Sequence, residues 1–379
     1  MNARKGFGRS LSRRAFLRRS ASLAKAAALG AVASPALVRS ARSSSGELNY
    51  MGWSGYHFDE LFRKFTDRTG ITINFIDQPD QDSMLAQARL GAQTAAADIA
   101  EPSIDRLPAW IDNDLLQPWN EGNVSIDAYD KAFLTQSGMV NGRRFFLPIV
   151  WGTEALTYSV KEAPMAYGTA ALADLFDPRF TGKVTLRAHS SLAAMGRVLE
   201  AQGRLPRPWL DSYKDPASMR QLWDIALAEA VKHKANVVQF WIGENDAEAA
   251  FRTNGCTLGL TWDATGQTLS ADGFGFIAPK EGAFGWLQGY VLLKAARNVE
   301  QAHEWARFIA TPEGSAAYAT AFSANPTASG AIDLVDAKIK DFYRRAYPAD
   351  ALSKIWWWPP QPTWFVALRG EYADKWRAA

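Results

Sequence analysis

Gly259-Leu260-Thr261-Trp262-Asp263, then Pro279-Lys280-Glu281-Gly282, Trp286-Leu287-Gln288-Gly289-Tyr290 and Ala302-His303-Glu304-Trp305-Ala306-Arg307-Phe308-Ile309, form the stretch on which the fold turns. Thr257–Trp262 and Phe274–Pro279 are short apolar runs that read as buried strands. Ala302, Trp305, Ala306 and Ile309 fall at i, i+3, i+4 and i+7, one face of an amphipathic helix. Thr311-Pro312-Glu313 then starts another helix, with Thr311 as the cap and Pro312 at the first helical position, where its missing N–H costs nothing.

Outward from this stretch the same alternation runs from residue 47 to about 322. Strand-like runs are Ile71–Ile76, Arg144–Ile149, Ala155–Val160, Lys183–Leu186 and Val237–Phe240. Phe58, Leu61, Phe62 and Phe65 mark a helix that Gly70 closes. Strands alternating with helices predict an α/β protein with mixed, mainly parallel sheets flanked by helices. There is no internal repeat and no long low-complexity linker after the leader. The chain is long enough for two domains, and without a linker it is expected to cross between them more than once.

Charge divides the chain unevenly. Residues 1–45 hold ten Lys/Arg and no acid, so the remainder carries 32 Lys/Arg against 39 Asp/Glu, a net −7. The basic whole-chain balance therefore belongs to the leader and gives no nucleic-acid footprint. Ser12-Arg13-Arg14-Ala15-Phe16-Leu17-Arg18 matches the twin-arginine export pattern, with Arg13 and Arg14 as its pair. A weakly apolar Ala-rich stretch follows, interrupted by Lys25 and Pro35, which suits a signal peptide better than a membrane anchor. The expected location is the periplasm.

Catalytic patterns are missing from the sequence. Gly182-Lys183 lacks the rest of a phosphate-binding loop, and Gly273-Phe274-Gly275 lacks a third glycine. There is no G-x-S-x-G elbow. His57, His189, His233 and His303 have no metal-ligand spacing, and Cys256 reads as a small buried hydrophobe. No catalytic residue, metal site or cofactor is expected. An exported enzyme and a receptor subunit for a membrane sensor are the alternatives to a transport role.

Four segments in order resemble the bacterial spermidine/putrescine-type periplasmic binding proteins. They are Leu48–Tyr56; Asp98-Ile99-Ala100-Glu101-Pro102-Ser103 with Leu115–Trp119; Pro148-Ile149-Val150-Trp151-Gly152-Thr153-Glu154-Ala155-Leu156; and the stretch quoted first. The resemblance implies two α/β lobes of the type II-like binding-protein class, joined by crossing hinge strands. It divides the chain into a signal peptide at 1–45, lobe 1 at 46–150 plus 264–325, lobe 2 at 151–263, and a helical segment at 326–379 packing across both. It implies a monomer that hands a small organic solute to ABC-transporter permease subunits in the inner membrane.

The chain holds 15 tryptophans, and aromatic faces attract cations. Trp53, Tyr56, Trp151, Trp262 and Trp286 are expected to wall the ligand site, with Ser54, Ser103, Asp105, Glu154, Arg187, Asp263, Gln288 and Tyr290 as further contacts. Where polyamine binders carry an acid after the Trp, this chain has Gln288, and Arg187 stands where they have acidic residues. A buried diamine needs a carboxylate at each end. The expected ligand is therefore a zwitterion (an amino acid, betaine or opine), with its amine on aromatics and Asp105 or Asp263 and its carboxylate on Arg187. A polyamine is the alternative. Trp356-Trp357-Trp358 is read either as a roof over the site or as a staple for the C-terminal segment.

Overall fold

The computed structural model describes residues 46–134 and 138–379. The twin-arginine motif and the rest of the leader lie outside the described residues. Strand β1 (Glu47–Trp53) leads through α1 (Asp59–Thr69) to β2 (Thr72–Gln78). Gly70 ends α1 at φ 74°, and its N–H caps the Thr66 carbonyl, the left-handed conformation that glycine adopts without strain. Helix α2 (Gln81–Gly91) and the short β3 (Ile99–Ala100) follow. The two sequence runs around residues 144–160 are one strand, β4 (Leu147–Ser159). Beyond it come β5 (Val184–Leu186), α3 (Ala188–Ala201), α4 (Pro216–Val231), β6 (Val237–Phe240), α5 (Glu244–Arg252), β7 (Leu258–Trp262), α6 (Asp263–Leu269), β8 (Phe274–Ile277) and β9 (Phe284–Leu293). Helices α7 (Val299–Ile309) and α8 (Pro312–Phe322) precede α9 (Ala337–Ala346), β10 (Trp356–Trp357) and α10 (Thr363–Ala378). As expected, Thr311 caps α8, its hydroxyl accepting the Gly314 N–H at 3.0 Å.

The main sheet path is β2-β1-β3-β9-β4-β7-β5-β6. Its outer pairs, β1/β2, β1/β3, β5/β7 and β5/β6, are parallel. Its middle is antiparallel: β9 with β3, and β4 with β9, β7 and β8. Parallel pairing thus holds within each end of the path, while the two long strands between them run in opposite senses. At about 3.3 Å per residue, a 13-residue strand such as β4 spans roughly 43 Å, more than one lobe requires.

Burial shows the same division. One core gathers Tyr50, Phe65, Trp305, Tyr318 and the β4 residues Leu147, Ile149 and Val150, with Ile339 and Phe342 of α9. Another gathers Leu186, Leu192, Trp209, Trp223 and Leu260, with Phe365, Leu368 and Trp376 of α10. Strand β4 gives Leu156 to the second core, and β9 gives Tyr290 to the first and Phe284 to the second. The result is a two-lobed α/β molecule with β4 and β9 as crossing strands. The segment after residue 326 puts one helix on each core and pairs β10 with β9 between them. Cys256 is buried beside Phe251 and Leu269, and burial pushes its thiol up to about 11.

Candidate functional site

Parallel strands from both lobes end at one cleft of about 750 Å³, its open mouth included. Trp53 ends β1, Ser103 follows β3, Arg187 follows β5, and Trp262 ends β7. Carboxyl ends of strands are where α/β sheets bind ligands, because the loops there are free to vary while the strands hold them. The crossing strands form the floor. Glu154 on β4 and Trp286 and Gln288 on β9 face the cavity. Gly152 makes that floor possible: a Cβ there would sit 2.3 Å from both Asp263 Oδ2 and the Trp286 ring, so only glycine lets the two side chains close over the strand.

The cleft brings together Trp53, Tyr56, Ser103, Asp105, Glu154, Arg187, Trp262, Asp263, Trp286 and Gln288. It does not include Ser54, Trp151 or Tyr290. Ser54 is exposed in the turn after β1, its N–H bonded to the Gln78 carbonyl. Trp151 points through the opposite face of β4, against Phe133 and Trp357. Strand alternation requires this, since residues 151 and 154 are an odd number apart. Tyr290 is in the first core, edge-on to Tyr50 at 5.4 Å. The strand has by then passed beneath the helices, and alternation gives a face without saying what covers it.

Several liners have no counterpart in the sequence reading: Gln81, Arg106, His189, Phe322, Gln361 and Arg369. Arg106 directly follows a predicted contact and was within reach of a turn argument. Arg369 lies far along α10 and carries no local signal. Trp358 also lines the cleft, stacked on Phe284 at 4.8 Å, whereas Trp357 packs with Trp151 on the other face. The Trp356–Trp358 segment thus both roofs the site and staples the C-terminal segment.

The charged groups fall into two corners. In one, Arg187 Nη1 donates to Glu154 Oε1 at 3.0 Å, and its guanidinium lies 4.9 Å above the Trp262 ring and 5.5 Å from that of Trp241. Trp262 Nε1 donates to the same Glu154 oxygen at 3.2 Å. In the other, Arg106 pairs with Asp82, while Arg369 donates to Gln361 Oε1 at 2.7 Å and lies 3.9 Å from Asp82. Burial, with Arg106 nearby, pulls the Arg369 guanidinium down to about 9. Ser103 Oγ donates to Asp105 at 2.5 Å and receives a bond from Gln81. Asp263 accepts from Thr153 N, Ala264 N and Tyr343 Oη, and burial pushes its carboxyl up to about 7. Its bonding capacity is largely spent inside the fold. Burial and the neighbouring Arg187 hold His189 well below its usual range, so it enters the cleft as a neutral ring.

Two α/β lobes joined by crossing strands, with the cleft between them, define a solute receptor of the periplasmic binding-protein class. Residues 60–344 match the family described as bacterial extracellular solute-binding protein, and the chain belongs to that family. It is 24% identical over 331 residues to the "Putrescine-binding periplasmic protein PotF" of Escherichia coli (strain K12), covering 81% of this chain and 85% of that one. A solved structure described as a putative spermidine/putrescine ABC transporter from Listeria monocytogenes superposes with a TM-score of 0.73 at 21% identity, covering 88% of this chain and 99% of that one. The binding protein MotA of A. tumefaciens B6, in complex with glucopine, superposes with a TM-score of 0.66 at 16% identity, covering 87% and 99%. The protein is a bacterial extracellular solute-binding protein, and its fold and relatives are those of transport receptors and not of enzymes. Such proteins deliver small solutes to ABC permease components.

Proposed function

We propose that the cleft captures a small zwitterionic solute, of the kind represented by amino acids, betaines and opines. The observation that carries this is the mixed lining: three guanidinium groups, Arg106, Arg187 and Arg369, share the cavity with Trp53, Tyr56, Trp262 and Trp286. A polyamine cage needs free carboxylates. Here Glu154 is engaged by Arg187, and Asp263 by three donors of the fold. Asp105 is the cleft acid with the least prior commitment among the described residues. The curated relative is named for putrescine and the structural relative MotA was solved with glucopine, so polyamine and opine are the two ligands to separate. The rings supply flat walls that attract a cationic nitrogen by about 0.5–2 kcal/mol each.

In this reading lobe 1 comprises 46–150 plus 264–325 and lobe 2 comprises 151–263. They close by bending at β4 and β9, with 326–379 lying across both, and the exported monomer docks on inner-membrane permease subunits. Export runs by the twin-arginine route through Arg13 and Arg14, so replacing both with lysine is expected to leave the protein in the cytoplasm on fractionation. The ligand test is a thermal-shift screen of polyamines, amino acids, betaines, opines and organic acids. A ligand at a hundredfold excess over Kd stabilises the folded state by about 2.7 kcal/mol. Shifts from zwitterions are the expected result, and shifts from putrescine or spermidine alone would replace this reading with a polyamine one.

A further inference from the structure

Buried polar atoms are nearly always hydrogen-bonded, and those that are not mark places where something else supplies the bond. Four such atoms belong to residues lining the cleft: Arg106 Nε, Trp286 Nε1, Gln288 Nε2 and Glu154 Oε2. Arg106, Gln288 and Glu154 are 3%, 4% and 1% exposed. Three of these atoms are donors and one is an acceptor. Ser103 forms a β-bridge with Gln288, and Arg106 N bonds to the Ser103 carbonyl, so the Arg106 turn and the Gln288 strand are fastened side by side. The acceptor belongs instead to the Arg187 corner.

The cations near the donors are short of partners. The Arg106 and Arg369 side chains, 4% and 11% exposed, share Asp82, whose side chain is 63% exposed and solvated. Asp105 attracts Arg369 but accepts its hydrogen bond from Ser103. A guanidinium has five N–H donors. The one hydrogen bond the Arg369 side chain donates among the described residues goes to a neutral amide oxygen. Arg187, by contrast, is already satisfied by a buried carboxylate and two indole faces.

We infer that Arg106, Arg369 and the Gln288 amide form an anion subsite that holds the carboxylate of the solute, making helix α10 part of the binding surface. This rests on the zwitterion reading and moves its anion anchor from Arg187 to the opposite corner. Planar guanidinium forks suit a carboxylate, which accepts two parallel bonds. The rest of the solute then extends from this corner along the tryptophan walls of the cleft.

The test pairs 4-aminobutanoate and glucopine with 4-aminobutanamide and putrescine, read by thermal shift and calorimetry on wild type, Arg369→Gln and Arg106→Gln. The expected result is that a carboxylate-bearing probe binds wild type, the amide binds at least tenfold more weakly, and either substitution weakens the carboxylate probe at least tenfold. Equal binding of that probe to wild type and both variants overturns the subsite and leaves the receptor reading standing. Binding of putrescine alone overturns both the subsite and the zwitterion reading. A second measurement needs neither a bound panel member nor a folded variant. Wild-type protein is labelled with phenylglyoxal in sodium acetate or sodium chloride at equal ionic strength, and modified arginines are mapped by mass spectrometry. Acetate is expected to slow labelling of Arg369 at least threefold, and equal labelling in the two salts overturns the subsite.

Discussion

The Arg187 corner and the Arg369 corner lie in the same cleft and carry similar groups, yet they are finished to different degrees. In the first, a buried carboxylate meets its guanidinium at 3.0 Å, the guanidinium lies within 5.5 Å of two tryptophan rings, and an indole N–H adds to the same oxygen. In the second, two guanidiniums lean on one solvated aspartate, and donors of Arg106 and Gln288 go without partners. Burying a charge is costly unless it is paired and hydrogen-bonded. In the first corner the cation is paired from within the chain, and one oxygen, Glu154 Oε2, is left without a partner, so that corner belongs chiefly to the architecture. The second meets that condition only when an anion arrives. A recognition site and a structural ion pair can thus be told apart by what remains unsatisfied, not by residue type.

The largest expected effect breaks the finished corner. Arg187→Ala leaves Glu154 charged, nearly fully buried and without its cation, and should cost about 3–5 kcal/mol. Urea unfolding would measure it. Adding Glu154→Gln in the same chain should restore most of that loss, and no recovery would show that the pair is not what stabilises this corner.

A contrasting acid sharpens the point through pH. Glu101 is buried with hydroxyls of Tyr50 and Tyr318 and, among the described residues, no cation, and burial pushes it up to about 7. Its folded pKa lies above the unfolded value, so the folded state holds the proton more tightly. The destabilisation therefore grows as pH rises from about 4.5 to about 7 and is constant above. Glu101→Gln, whose neighbouring hydroxyls can turn to donate or accept, should match wild type near pH 4 and exceed it at pH 8 by up to about 3 kcal/mol. Thermal melts at the two pH values would check this.

Gly152→Ala tests the floor between the corners. The added methyl must displace Asp263 or Trp286 from 2.3 Å, with an expected loss of about 1–3 kcal/mol in unfolding and weaker solute binding. The smallest stability effect belongs to the unfinished corner: Arg369→Gln should change the stability of the unliganded protein by less than about 1 kcal/mol, because the cation it removes is poorly paired. A loss as large as that of Arg187→Ala would erase the distinction between the corners.

Much of this was legible in the sequence because it depends on local pattern. The helical spacing of Phe58, Leu61, Phe62 and Phe65, the Thr311-Pro312 cap and the apolar run ending at Trp262 each report backbone geometry set within a few residues, and the structure keeps them all. The ordered motifs also located most of the cleft wall, since strand ends place their next residue at a sheet's carboxyl edge. Periodicity alone did not join the runs near 144–160 into one strand, because continuity through Trp151-Gly152-Thr153 depends on pairing with β9. Trp151 and Tyr290 were misplaced for related reasons: one lies on the wrong face of its strand, and the other on a stretch that neighbouring helices cover.

By itself, then, the sequence determined the α/β class, carried by short-range periodicity, and through its ordered motifs the receptor family it resembles. Only the tertiary structure decided which charges meet. It set Glu154 against Arg187, 33 positions away, and brought Arg369 to Asp82 and Arg106 across most of the chain length. Ion pairing and hydrogen-bond satisfaction depend on distances of a few ångströms between residues remote in sequence, and packing of the lobes alone fixes those distances.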